Sequence, residues 1–207
     1  MKRGFTALEL VIVGLIVLIL AAILFPAFAR TDGGEGGRVR CQDNLRTQVL
    51  ALTQYTKDYN DHYPVAASCN GPTGWAVMLQ PYLRTAEVFK CPSGLELKEQ
   101  RARRDEGYTD YWINGRLFGA VTRQVSQPAK ALAFGEGNDG TERTDPGYSL
   151  TALPTSWIAN ERSPLHRHLR GSNYAFADGH VAWLSADSSK SSLRIDKNLF
   201  EPRAATK

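Results

Sequence analysis

The start of this chain lacks charge. From Phe5 to Ala29 only Glu9 is ionised, although the 207 residues carry 25 Lys+Arg and 21 Asp+Glu. Catalytic signatures are missing too. No HExxH, GxSxG or P-loop occurs, which removes the zincin, α/β-hydrolase and P-loop readings. No internal repeat is evident, so a repeat architecture is excluded. Cysteine is scarce and odd in number: Cys41, Cys69 and Cys91 leave one thiol over, and their spacing is not that of a zinc site. A strong basic surplus is also absent, with a formal net charge of +4. With 43% hydrophobic and 22% charged residues, the chain is no disordered segment, collagen or multi-span membrane protein. What remains is one apolar segment joined to a polar domain.

Leu10 to Ala29 is free of charge and rich in Leu, Ile and Val. At about 1.5 Å per residue its length is close to that of a bilayer hydrocarbon core, about 30 Å. Lys2 and Arg3 would hold the preceding end in the cytoplasm. A secretory signal peptide is the rival reading, with Ala21-Ala22 or Ala27-Phe28-Ala29 as its small-residue cleavage site. Glu9 counts against both a signal peptide and a plain anchor. A carboxylate near a bilayer centre costs about 2.5–3.5 kcal/mol, and such a group is usually retained because something pairs with it.

Met1-Lys2-Arg3-Gly4-Phe5-Thr6-Ala7-Leu8-Glu9-Leu10 resembles the class III signal of type IV pilins and type II secretion pseudopilins. Pro26 matches a helix-interrupting proline of many pilin stems. The resemblance implies that prepilin peptidase cuts between Gly4 and Phe5 and that Phe5 is N-methylated. Glu9 would then meet the new Phe5 ammonium of a neighbouring subunit, two charges that are costly in lipid alone becoming a pair. It further implies a single-pass protein of the inner membrane, N-terminus cytoplasmic and C-terminal domain extracytoplasmic, that moves into a pilus or pseudopilus. Its partners would be other pilin or pseudopilin subunits and the inner-membrane assembly machinery.

Residues 1–4 read as leader, 5–29 as the membrane and filament-core helix, and 30–40 as a neck. Gly33, Gly34, Gly36 and Gly37 should break the helix in that neck. An amphipathic helix follows in the segment 41–63. Its periodicity runs from Val39 to Tyr59, with Leu45, Val49, Leu52, Tyr55 and Tyr59 as the core face and Tyr63-Pro64 as the exit. A β-rich domain occupies 64–184, and 185–207 form a tail poor in aromatics. Gly74 to Tyr82 suits a short helix, while Tyr108 to Ile113 and Ala131 to Phe134 suit strands. Asn173 to Ala177 and His180 to Leu184 flank Asp178-Gly179, a signal for a type I′ hairpin. The fold expected is α+β and pilin-like: a long N-terminal helix, membrane-spanning and then an amphipathic stem, with a small antiparallel sheet.

A second resemblance covers most of this region. Cys41-Gln42-Asp43-Asn44-Leu45-Arg46, Tyr55-Thr56-Lys57-Asp58-Tyr59, Trp75 with Leu79-Gln80-Pro81-Tyr82-Leu83, and Val88-Phe89-Lys90-Cys91-Pro92-Ser93 look like successive blocks of pilin-like proteins bearing a C-terminal H-x9-DG motif. Here that motif is His168, nine residues, then Asp178-Gly179. Cys41 and Cys91 both stand in matched blocks, which favours their pairing over the rival Cys69–Cys91. Either bridge is worth about 3–4 kcal/mol in the chain-entropy picture.

Glu136, His166, His168, Asp178 and His180 are the residues on which metal chemistry would have to rest. Imidazole with carboxylate suits a transition ion, and carboxylates with carbonyls suit Ca2+. The plainer reading, adopted here, has no cofactor: His168 folds back and braces the hairpin turn with Asp178, whose turn geometry explains its presence. Arg101, Arg103 and Arg104 are followed at once by Asp105 and Glu106, a solvated loop rather than a phosphate track, so nucleic acid is not expected. The chain therefore reads as an assembly subunit without catalysis. The alternative is an extracytoplasmic binding or metal-dependent protein that stays anchored and never polymerises.

Overall fold

The computed structural model describes residues 6–28, 35–65, 74–93, 109–137 and 147–186. Gly4, Phe5, Cys69, the Arg101 cluster, residues 30–34 of the neck and nearly all of the tail lie outside the described residues. The chain divides into two compact units, Met1–Asp32 and Gly33–Lys207.

The first unit is a single helix, α1 (Ala7–Phe28), whose backbone runs for 22 residues or about 33 Å. Where its side chains are described, from Ala7 to Ala22, all are exposed: Leu8 and Leu18 at 70%, Val11 at 68%, and even Ile12 at 49%. Apolar groups therefore point outward on every side. Among the described residues no helix offers an apolar run long enough to cross a membrane, since those sixteen positions rise only about 24 Å.

The second unit is α+β. Helix α2 (Glu35–Asp58) lies on a five-stranded sheet of order β3-β1-β2-β4-β5. The strands are β1 (Tyr111–Asn114), β2 (Leu132–Glu136), β3 (Ser149–Leu150), β4 (Gly171–Phe176) and β5 (Val181–Ser185). The sheet is mixed, not antiparallel throughout as the sequence suggested. β3 runs parallel to β1, with Ile113 opposite Ser149, while all other pairs are antiparallel. Two residues make β3, and so short a run carries no readable alternation.

α2 starts inside the glycine-rich segment, taking Gly36 and Gly37 into its first turn. The first four N–H groups of a helix have no intrahelical partner, so this is where glycine weakens a helix least. Leu45, Val49, Leu52 and Tyr55 turn into the core at the spacing expected. Tyr59 does not. It lies beyond the helix end, 53% exposed, with its ring stacked on Tyr55 at 4.2 Å.

The sheet is covered on both faces, and this explains why β1, β2 and β4 show no polar alternation. One core joins the α2 face with Trp75, Leu79, Phe89, Tyr111, Ile113 and Phe134. The other holds Trp112, Leu132, Leu153, Trp157, Leu165, Tyr174 and Phe176 beneath the opposite face. Trp157 belongs to a short helix, α4 (Thr155–Ala159), and Trp75 to another, α3 (Trp75–Leu79). Gly135 in β2 is what lets Trp112 lie flat on the sheet, because a Cβ there would overlap the indole.

Candidate functional site

α2 does more than pack. Cys41, Asn44 and Gln48 lie along one stripe at spacings of three and four, and all three grip the strip Val88–Cys91. Cys41 is joined to Cys91 by a disulfide with Cα atoms 5.6 Å apart. Asn44 Nδ2 donates to Lys90 O at 2.9 Å and to the Tyr111 hydroxyl at 3.1 Å, and Gln48 Nε2 donates to Val88 O at 2.8 Å. Asp110 holds the same strip from the sheet side, its Oδ2 accepting from Cys91 N at 2.8 Å.

Beside the disulfide sits a buried acid–imidazole pair. Glu136 closes β2, lies cross-strand from Tyr111 and is 0% exposed; His168 is 1% exposed. His168 Nε2 is 3.3 Å from Glu136 Oε1 and 3.7 Å from Cys91 Sγ. The carboxylate is held from behind. Its Oε2 accepts from Ser172 Oγ at 3.0 Å and Asn173 N at 2.9 Å, and Oε1 accepts from Asn173 Nδ2 at 2.8 Å. Asn173 Nδ2 also donates to Arg38 O at 3.2 Å, tying the node to α2. The negative charge is felt around it. Burial pushes the Tyr111 and Tyr174 hydroxyls well above the usual phenol range, and Glu136 raises both further.

His168 is positioned by an unusual reversal. His168 N donates to Gly171 O at 2.9 Å and Gly171 N donates back to His168 O at 3.0 Å. Between them Leu169 (φ 53°) and Arg170 (φ 61°) both take the left-handed region. Trp183 Nε1 donates to His168 O at 2.8 Å from β5, closing the loop.

The H-x9-DG motif is thereby split between two places. β4 and β5 pair from Gly171 opposite Ser185 to Ala175 opposite Val181, so His168 stands beyond the open end of the hairpin and Asp178 at its tip. His168 does not brace the turn, because the whole of β4, about 20 Å of strand, lies between them. Asp178 is braced locally instead. Its Oδ1 accepts from His180 N at 3.1 Å and lies 2.6 Å from His180 Nδ1, while the His180 ring stacks on Phe176 at 4.1 Å. Nor is the turn type I′. Phe176 O accepts from Gly179 N at 2.9 Å, Phe176 N donates to His180 O at 2.9 Å, and only Gly179 (φ 98°) has positive φ in that loop. This is a three-residue loop with glycine in the bulge position.

The metal candidates Glu136, His168, Asp178 and His180 therefore do not form one cluster. Glu136 and His168 meet in the core, and Asp178 and His180 meet at the hairpin tip. The partners of Glu136 and His168 are instead Cys41 and Cys91, the four ligand atoms lying within 4.8 Å of one another. Sequence reasoning treated the cysteines only as a bridge and so missed this grouping. The spacing of Cys41, Asn44 and Gln48 on one helix stripe was the available signal that the strip bearing Cys91 docks there.

No family model, curated protein or solved structure matches the chain. Its chemistry has to be read from its own residues.

At the other end of the chain, Thr6 and Glu9 form a capping box around the start of α1. Thr6 N donates to Glu9 Oε2 at 2.8 Å and Glu9 N donates to Thr6 Oγ1 at 3.3 Å. Glu9 thus has a partner within its own helix besides the intermolecular one expected for it, and Thr-x-x-Glu before an apolar run is the sequence signal of that cap.

Asp178 gives a test of the hairpin. Burial pushes its carboxyl up, but the backbone and ring hydrogen bonds of His180 outweigh this and hold it below the ordinary 3.8. A lowered folded value contributes stability that is present above the unfolded value and lost as pH falls through the folded one. Asp178→Asn should therefore lower stability modestly at pH 7, where the contribution is present in full, and flatten the acid limb below about pH 4 so that the two proteins converge there. Urea midpoints at pH 3 to 7 check this, and an unchanged acid limb would dismiss the His180 interaction as a source of stability.

Proposed function

We propose that the chain is a prepilin-like structural subunit of a type IV pilus or type II secretion pseudopilus. It is processed by prepilin peptidase between Gly4 and Phe5, methylated on Phe5, and assembled through α1. Before assembly the whole apolar stretch from Phe5 to Ala29, which extends past the described side chains of α1, spans the inner membrane, with the α+β unit on the extracytoplasmic side. The observation that carries this reading is α1 itself, apolar and exposed on every described side. Such a surface needs lipid or the like helices of other subunits to cover it. The prepilin-type signal before it, and the separate compact unit after it, support the same assignment.

Intact-mass measurement of membrane-extracted protein tests the reading. Loss of residues 1–4 with one added methyl is expected. Retention of Met1, or cleavage near Ala29, would overturn it and leave an anchored extracytoplasmic protein that never polymerises.

The capping box makes Glu9 separable into two roles. Glutamine also completes a capping box but carries no charge. Glu9→Gln should thus keep the cap, allow processing and still impair assembly, as Glu9→Val should. Normal filaments from Glu9→Gln, with none from Glu9→Val, would assign Glu9 to the cap and refute its pairing with the Phe5 ammonium.

A further inference from the structure

We propose that the pair Cys41 and Cys91 has a second, reduced state in which it binds a zinc-class ion together with His168 and Glu136. The donor set is two thiolates, one imidazole and one carboxylate, the mixture of soft and borderline ligands that suits Zn2+.

The distances fit before any ion is placed. Tetrahedral Zn2+ with ligands at about 2.3 Å for sulfur and 2.0–2.1 Å for nitrogen or oxygen puts ligand atoms roughly 3.3–3.8 Å apart. Cys91 Sγ to His168 Nε2 is 3.7 Å and His168 Nε2 to Glu136 Oε1 is 3.3 Å, two edges of such a tetrahedron already built. The S–S edge must open from a bond to about 3.8 Å by rotation of two side chains, and the other edges, none longer than 4.8 Å, settle into the same range.

The outer shell is also in place. Ser172 Oγ and Asn173 N saturate Glu136 Oε2 from behind, while Oε1 faces His168 Nε2. Metal-bound carboxylates are oriented by hydrogen bonds of this kind. All four ligand residues are buried, so the site excludes competing water ligands. A groove of about 350 Å3, lined by Arg40, Asn44, Glu87, Lys90 and Cys91, opens beside the cluster and offers an approach for the ion or a thiol reagent.

The two states exclude each other, because sulfur cannot serve as thiolate ligand while it is bonded in the disulfide. In the exchange, the two thiolates give up two electrons to a disulfide oxidant RSSR. That oxidant takes up two protons and leaves as two RSH, the Cys41–Cys91 bond forms, and Zn2+ is released. The node is then a redox-controlled metal site whose oxidised form is the disulfide.

The test uses the full chain in detergent, reduced with a phosphine and titrated anaerobically with Co2+ as a spectroscopic stand-in for zinc. One equivalent should bind, giving a thiolate-to-cobalt charge-transfer band and tetrahedral d–d absorption that Zn2+ abolishes. Chain oxidised with diamide should give neither. Cys69→Ser should leave the spectrum unchanged, Cys91→Ser should weaken the charge-transfer band, and His168→Gln and Glu136→Gln should each lower affinity at least tenfold. Absence of the band, its persistence in oxidised chain, or indifference to both His168→Gln and Glu136→Gln would overturn the proposal. Should those variants fail to fold, alkylation of the wild-type chain decides. Zinc must protect Cys41 and Cys91 together while Cys69 reacts, and equal labelling of all three refutes the site.

Discussion

Glu136→Ala is expected to lower the unfolding free energy by about 3–5 kcal/mol, the cost of breaking a buried polar pair by removing one partner. The substitution leaves Asn173 N without its acceptor and takes one bond each from Asn173 Nδ2, which keeps Arg38 O, and Ser172 Oγ, which keeps Pro164 O, in a space where Glu136, Ser172 and Asn173 are all 0% exposed. Water cannot replace the lost acceptor there without opening the core. Glu136→Gln should cost less, about 1–3 kcal/mol, since one carbonyl oxygen survives while its NH2 group faces donors. Urea unfolding of the oxidised chain at pH 7 measures both, with the midpoint falling at constant slope. A loss below about 1 kcal/mol for Glu136→Ala would mean the node is not a source of stability. The change should be strongly non-additive with His168→Ala, because the two side chains face each other at 3.3 Å.

The elements with strong local periodicity were legible in advance. The Leu45, Val49, Leu52 and Tyr55 stripe specified the buried face of α2, and Gly74 to Tyr82 gave a short helix with its Trp75 and Leu79 anchors. The hairpin around Asp178-Gly179 was visible from its turn residues, but not its loop length. Asp-Gly serves both a two-residue turn and a three-residue loop, and the hydrogen bonds of Phe176 decide between them. The two-residue β3 and the parallel β1–β3 pairing carry no local signal at all. The segments expected as strands at Tyr108 to Ile113 and Ala131 to Phe134 do overlap β1 and β2, shifted by a few residues, even though burial of both sheet faces erases their alternation.

The site was less legible, for a physical reason. Sequence proximity groups His168 with Asp178 and His180, but an antiparallel hairpin carries residues away from its tip with each step. Ten residues before Asp178, with β4 running from Gly171 to Phe176, His168 had to fall at the open end. There the neighbours come from β2, from α2 and from the strip after Phe89, none of them near in sequence. Glu136 and His168 were both singled out as titratable, yet their meeting depends on β2 pairing with β4, a contact no spacing rule foretells.

Removing both cysteines, as Cys41→Ala with Cys91→Ala, is expected to lower Tm by roughly 8–16 °C. The bridge spans 50 residues, and closing a loop of that length in the unfolded chain is worth about 4 kcal/mol. For a chain of this size each kcal/mol moves Tm by about 2–4 °C. Phosphine reduction of the wild type, with a chelator present to withhold metal, should give the same shift. Cys69→Ser should give none. A double variant within about 2 °C of wild type would show that the bridge carries little of the fold. The drop should still stop short of unfolding at room temperature, because the strip keeps other ties. Asn44 Nδ2 still binds Lys90 O, Gln48 Nε2 still binds Val88 O, and Asp110 still accepts from Cys91 N. Those bonds hold positions 41 and 91 face to face beside His168 without the covalent link. The reduced state is therefore a folded state, which is what a metal-binding dithiol at this position requires.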